Sequence, residues 1–213
     1  MDERYPGYDV LAKRNSPSWN EATRRAIDRR LATPREPRYF TAEEFATLTA
    51  IAERITPQPP DRAPIPVAAL IDAKLLEGRE EGYRATELPR DGEAWRRGLA
   101  ALEAEARSRH GVAFRELQPA ARDSLLTAMS SGDLKHEAWQ GMPSSTFFKQ
   151  RLLTDIVSAY WSHPTAWSEM GWGGPASPRG YVRMGYDARD PWEAVEARAG
   201  QQEEARRRNR HVR

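Results

Sequence analysis

The chain has 213 residues and a mass of 24.2 kDa, enough for one ordinary domain with extensions. Its 33 basic and 31 acidic side chains leave a net charge of +2, which argues against a dedicated nucleic-acid binder, and no apolar run approaches the roughly 20 residues of a membrane span. Cysteine is absent, which excludes disulfides, thiolate metal sites and cysteine nucleophiles.

Residues 1–39 read as an extension holding one short helix. Nothing in them resembles an apolar targeting segment. Thr23-Arg24-Arg25-Ala26-Ile27 looks like the core of a twin-arginine export signal, but Asp28, Arg29 and Arg30 stand where the apolar stretch should begin. The expected location is therefore cytoplasmic, or periplasmic only by export with a partner. A helix capped by Ser16 or Ser18 fits instead, with Trp19, Ala22, Ala26 and Ile27 as its apolar stripe and Pro34 and Pro37 beyond its end.

Residues 40–192 read as a single helical domain. Thr41-Ala42-Glu43-Glu44 is a capping box, and Phe45, Leu48, Ile51, Ala52 and Ile55 follow at helical spacing. Pro57, Pro59, Pro60, Pro64 and Pro66 form an extended strap, in which Ile65 and Val67 suggest contact with the body. A short helix over 67–76 ends near Gly78. A second spans Glu93 to His110, with Trp95, Leu99, Leu102 and Ala106 inward and Gly111 as its left-handed stop. Pro119 opens a helix that buries Leu125, Leu126 and Met129. Ser144 or Ser145 opens a last long one, with Phe147, Phe148, Leu152, Ile156, Tyr160 and Trp161 on its broad apolar face and Pro164 at its end. No alternating β-branched run is long enough for a strand. The class is all-α, an irregular domain of five to six helices.

From Thr165 to Trp192 aromatics alternate with glycine and proline, which disfavour regular helix. Burying such aromatics is worth up to about 3 kcal/mol each. The segment therefore packs back on its own helices or is covered by another protein. Residues 193–213 are Gln, Glu and Arg for the most part and read as a charged, solvated tail.

Chemistry is sparse. Gly171-Trp172-Gly173-Gly174-Pro175 lacks the strand and helix of a dinucleotide fingerprint, and no phosphate loop or serine-nucleophile elbow occurs. His136-Glu137 begins like a zinc-protease motif, but Gln140 stands where the second ligand belongs. Four isolated histidines do not suggest a metal site. Asp155 is the one carboxylate in an apolar helix, and Arg151 one turn earlier accounts for it. No catalytic, cofactor-binding or metal residue is expected.

Several segments in order carry a resemblance: Phe40 to Glu44, Ile51-Ala52-Glu53-Arg54-Ile55-Thr56-Pro57, the strap, Val67 to Asp72, Arg97 to Leu102, Gly111 with Phe114 and Leu117, Phe147-Phe148, and Arg183-Met184-Gly185-Tyr186. Together they resemble gluconate 2-dehydrogenase subunit 3 over about Phe40 to Tyr186. The resemblance implies a non-catalytic small subunit that binds and stabilises a large FAD-binding oxidoreductase of the glucose–methanol–choline type, acting on a sugar, sugar acid or alcohol. A cytochrome c subunit takes the electrons in some such complexes, and FAD belongs to the partner. The expected partner-binding residues are Trp167, Trp172, Gly173, Gly174, Arg179, Tyr181, Arg183 and Tyr186, the two arginines bonding at the rim. Two alternatives remain: a stand-alone carboxylate enzyme, and a helical interaction protein whose Arg-rich tail contacts RNA or an anionic surface. Against the latter, the body without residues 206–213 carries 28 basic and 31 acidic side chains, a charge of −3.

Overall fold

Nine α-helices occur in the computed structural model, among the residues it describes (3–60, 62–80 and 82–212), and no strand does. They are α1 Glu21–Leu31, α2 Ala42–Ile55, α3 Val67–Leu76, α4 Asp91–His110, α5 Pro119–Ser131, α6 Ser144–Phe147, α7 Leu153–Trp161, α8 Pro164–Met170 and α9 Gln202–Asn209. The all-α class stands, with more helices than the five to six expected because several are short. They group into two units that differ from the expected division: residues 33–160, and residues up to 32 together with those from 161 onward.

The unit of residues 33–160 is built from local signals. Thr41 accepts from the Glu44 N–H (3.2 Å) and Glu44 from the Thr41 N–H (2.9 Å), so both orphan donors are used and α2 starts where the capping box says. Gly111 ends α4 at φ +76°, and Pro119 opens α5. The strap is pinned by Gln58, whose amide donates to and accepts from Ile65 (3.1 and 2.6 Å). Buried Asp72 accepts from the backbone N–H groups of Arg38, Tyr39 and Phe40 at 2.9–3.0 Å and so fixes the entry to α2. Trp95 packs edge-on between Phe40 and Phe147, and Phe147 also meets Trp139.

Two expectations change in this unit. Helix α4 begins at Asp91, two residues early, because buried Asp91 is held by Arg151 (2.7 Å). The last long helix is not continuous: α6 passes into a π-helical turn over Phe148–Leu152 before α7 resumes.

The other unit corrects more. The N-cap of α1 is Asn20, which accepts from the Thr23 N–H (2.9 Å). The Ser18 carbonyl instead accepts from the Ser177 N–H (2.8 Å) while the Asn20 N–H donates to the Ser177 carbonyl (2.9 Å), and the Ser18 hydroxyl accepts from Arg179. Helix α7 ends at Trp161, just short of Pro164 as expected, but Pro164 also opens α8, where the His163 ring nitrogen caps the Thr165 N–H (3.3 Å). Residues 165–170 are thus helix, not loop. The expected tail is folded: Ala205, Asn209 and Val212 recur at helical spacing and are buried. Asn209 donates to Pro6 and Val195 and accepts from the Val195 N–H, all within 3.0 Å, while Arg206 and Arg207 pair with Glu203 and Glu204. Trp19, Ile27, Trp167, Trp192 and Val212 share this unit's core.

Candidate partner-binding surface

The segment after α8 leaves the core and returns to it. Gly171 turns the chain, and Trp172 sets its ring edge-on against Trp167 (5.0 Å, 83°) while remaining 38% exposed. Gly174 adopts φ +68°, and a Cβ there would lie 3.0 Å from the Trp167 ring. Trp167 is buried, its indole N–H donating to the Trp161 carbonyl (2.7 Å). At the other end Trp192 returns to the core under the guanidinium of Arg179, 4.8 Å above its ring.

Between these anchors the loop is braced by charge. Arg179 donates to Ser18 (3.0 Å), to the Val182 carbonyl and to buried Asp190 (3.3 Å). Asp190 also accepts from the Met184 N–H (3.0 Å). Arg183 forms a two-pronged bond to Glu193, both at 2.9 Å. Partial burial works against the Glu193 charge, but Arg183, the Asp190 N–H and Arg189 together hold its carboxyl below the usual range. With the polar groups so used, the apolar ones at the tip stand in solvent: Tyr181 is 68% exposed, Val182 79%, Met184 67%, and Tyr186 fully.

The eight expected partner-binding residues therefore divide. Trp167 and Gly174 are core, and Arg179 is an internal brace. Arg183 is exposed, but its guanidinium is spent on Glu193 rather than free at a rim. Trp172 is shared between core and surface, and Gly173 lies near the Lys13 ammonium. Tyr181 and Tyr186 face outward. Val182 and Met184 stand beside them in the sequence but are not among the expected partner-binding residues, since a lone Val and Met carry no signal until the backbone is braced.

A second polar cluster lies in the unit of residues 33–160. Asp155 accepts from the Trp95 indole N–H (2.8 Å) and from Lys74 (2.9 Å), with Arg151 farther at 3.4 Å. Arg151 is thus a partner of Asp155, as expected from sequence, but it shares that carboxylate with Lys74 and Trp95. Among the described residues Asp91 and Asp155 face Lys74 and Arg151, the arrangement of a buried structural network. Among the described residues no group of His, Asp or Glu is placed to hold a metal, and no helix is long and apolar enough to cross a membrane.

Fold and surface together define an all-α protein with a braced, outward-facing apolar loop, the form of an interaction subunit. The chain belongs to the gluconate 2-dehydrogenase subunit 3 family, whose model matches residues 42–174, and so to the accessory subunits of dehydrogenase complexes. No curated protein and no solved structure matches it.

Proposed function

We propose that the chain is the small subunit of an FAD-dependent oxidoreductase of the glucose–methanol–choline type, acting on a sugar, sugar acid or alcohol. It binds and stabilises the large catalytic subunit, supplies no catalytic residue, and holds no flavin itself. A cytochrome c subunit is the fitting electron acceptor for such a complex. The complex assembles in the cytoplasm and meets a cytochrome c only by export together with its large subunit.

One observation carries this reading. Tyr181, Val182, Met184 and Tyr186 form an apolar tip on a loop that ion pairs hold from beneath. Exposed apolar groups on a rigid support favour association, because little ordering remains to be done on binding. Tyrosine is also enriched among residues that dominate interface energetics.

The test is co-expression with a candidate large subunit and capture on a tag carried by this chain. The complex should be yellow and the chain alone colourless. Tyr181→Ser combined with Tyr186→Ser should weaken capture about thirtyfold, the equivalent of about 2 kcal/mol. Since both rings are exposed, the Tm of the isolated chain should not change. Stoichiometric FAD on the chain alone, or capture indifferent to both substitutions, would refute the reading.

A further inference from the structure

A cavity of about 280 Å3 lies beneath the braced loop, lined among others by Lys13, Gly173, Arg179, Tyr181 and Trp192. Its charges are mutually satisfied with one exception. Arg179 is paired with Asp190, Glu193 with Arg183 and Arg189, and Glu196 with Arg4. Lys13 is only 1% exposed; its carbonyl accepts from the Ser16 N–H (2.8 Å), but its ammonium has no hydrogen bond or ion pair among the described residues. Its ammonium has the Trp19 ring at 5.6 Å, and a Cβ on Gly173 would lie 3.2 Å from it.

A buried, unpaired cation is costly, and an apolar side chain would fill the same place without that cost. Burial first, and the nearby Arg179 second, lower the Lys13 pKa to about 8, so the group is still mostly charged at neutral pH. Tyr8, whose hydroxyl also approaches Gly173, is pushed well above its ordinary value by burial and supplies no counter-charge. The cavity therefore offers one positive charge with nothing to neutralise it, room for a small molecule, and aromatic walls.

We infer that this cavity binds a small carboxylic acid, its carboxylate accepting hydrogen bonds from the Lys13 ammonium and its body resting against Tyr181 and Trp192. This goes beyond the accessory-subunit reading and does not depend on it. A carboxylate is favoured over a multiply charged anion because a single unpaired cation is present, with Asp190 and Glu193 close by to repel further negative charge.

The probes are acetate, glycerate and benzoate, each against its neutral amide, titrated calorimetrically into the full chain at pH 7. At least one acid should bind with a Kd at or below about 1 mM and at least tenfold tighter than its amide. Lys13→Met, close in length and apolar, should abolish that preference. In the wild-type chain the preference should fade as pH rises through about 8, because the ammonium loses its proton there. That profile needs no variant, so the test survives a Lys13→Met chain that folds poorly. Absence of any acid-over-amide preference, or its persistence in Lys13→Met or at pH well above 8, overturns the inference.

Discussion

Replacing Gly98 by alanine sets two effects of opposite sign against each other. Gly98 lies inside α4, where alanine is intrinsically better by about 1 kcal/mol. On propensity alone the variant would be more stable. But a Cβ at Gly98 would lie 2.2, 2.4 and 2.6 Å from three atoms of the Phe147 ring. Real contacts of that kind essentially never fall below 3.0 Å, so ring or helix must give by about 0.8 Å. Phe147 has little room to do so. It is fully buried, with Trp95 edge-on at 5.7 Å and Trp139 at 6.0 Å. Overpacking of this kind costs about 1–3 kcal/mol, and here the upper part of that range applies. The clash therefore wins, with a net loss of about 1–2 kcal/mol.

At a few degrees per kcal/mol for a chain of this size, Tm should fall by roughly 2–8 °C in far-ultraviolet circular dichroism. Phe147→Leu in the same chain removes the obstructing atoms. The double variant should be more stable than the sum of the two single changes by at least about 0.5 kcal/mol, as expected for residues in contact. A Gly98→Ala chain that melts higher than wild type, or a strictly additive double variant, would refute the reasoning.

Asp155→Ala should cost about 2–4 kcal/mol in urea unfolding, since it leaves the Trp95 N–H buried without its acceptor and takes from buried Arg151 one of its two carboxylates, Asp91 remaining; a loss below about 1 kcal/mol would mean that the network relaxes freely. Residues 1–40 fused to a reporter should leave it in the cytoplasm, because Arg24 and Arg25 belong to α1, bonded to the Trp19 carbonyl and to Glu21. Active reporter in the periplasm, lost on changing both arginines to lysine, would contradict this.

What was legible in the sequence is what is local. A capping box needs Thr41 and Glu44 alone, and Trp95, Leu99, Leu102 and Ala106 declare their buried face by spacing within one helix. The misreadings share a cause. Pro164 lies just past the end of one helix and opens the next, and only the His163 ring capping Thr165 reveals the second role. In the last segment a stripe of Ala205, Asn209 and Val212 is thin among arginines. Asn209 earns its buried place through Pro6, more than two hundred residues earlier. Arg179 and Arg183 looked free because their acids, Asp190 and Glu193, stand about ten residues away, beyond any helical spacing rule.

The question left open by composition was whether the aromatic segment packs on its own unit or waits for a partner. Its residues answer separately. Tryptophan's large apolar surface is best used in a core, and Trp167 and Trp192 anchor the two ends of the segment there. The tyrosines lie between, where ion pairs rather than side-chain packing hold the backbone, and their rings are left outside. Self-packing thus builds the support, and the exposed tip is what remains for another surface. Trp172 stands at the border, half-exposed yet edge-on against Trp167. Trp172→Ala would lower both core stability and any partner affinity, so it cannot separate the two. Tyr181 and Tyr186 can, because nothing in the unit's core rests on either ring.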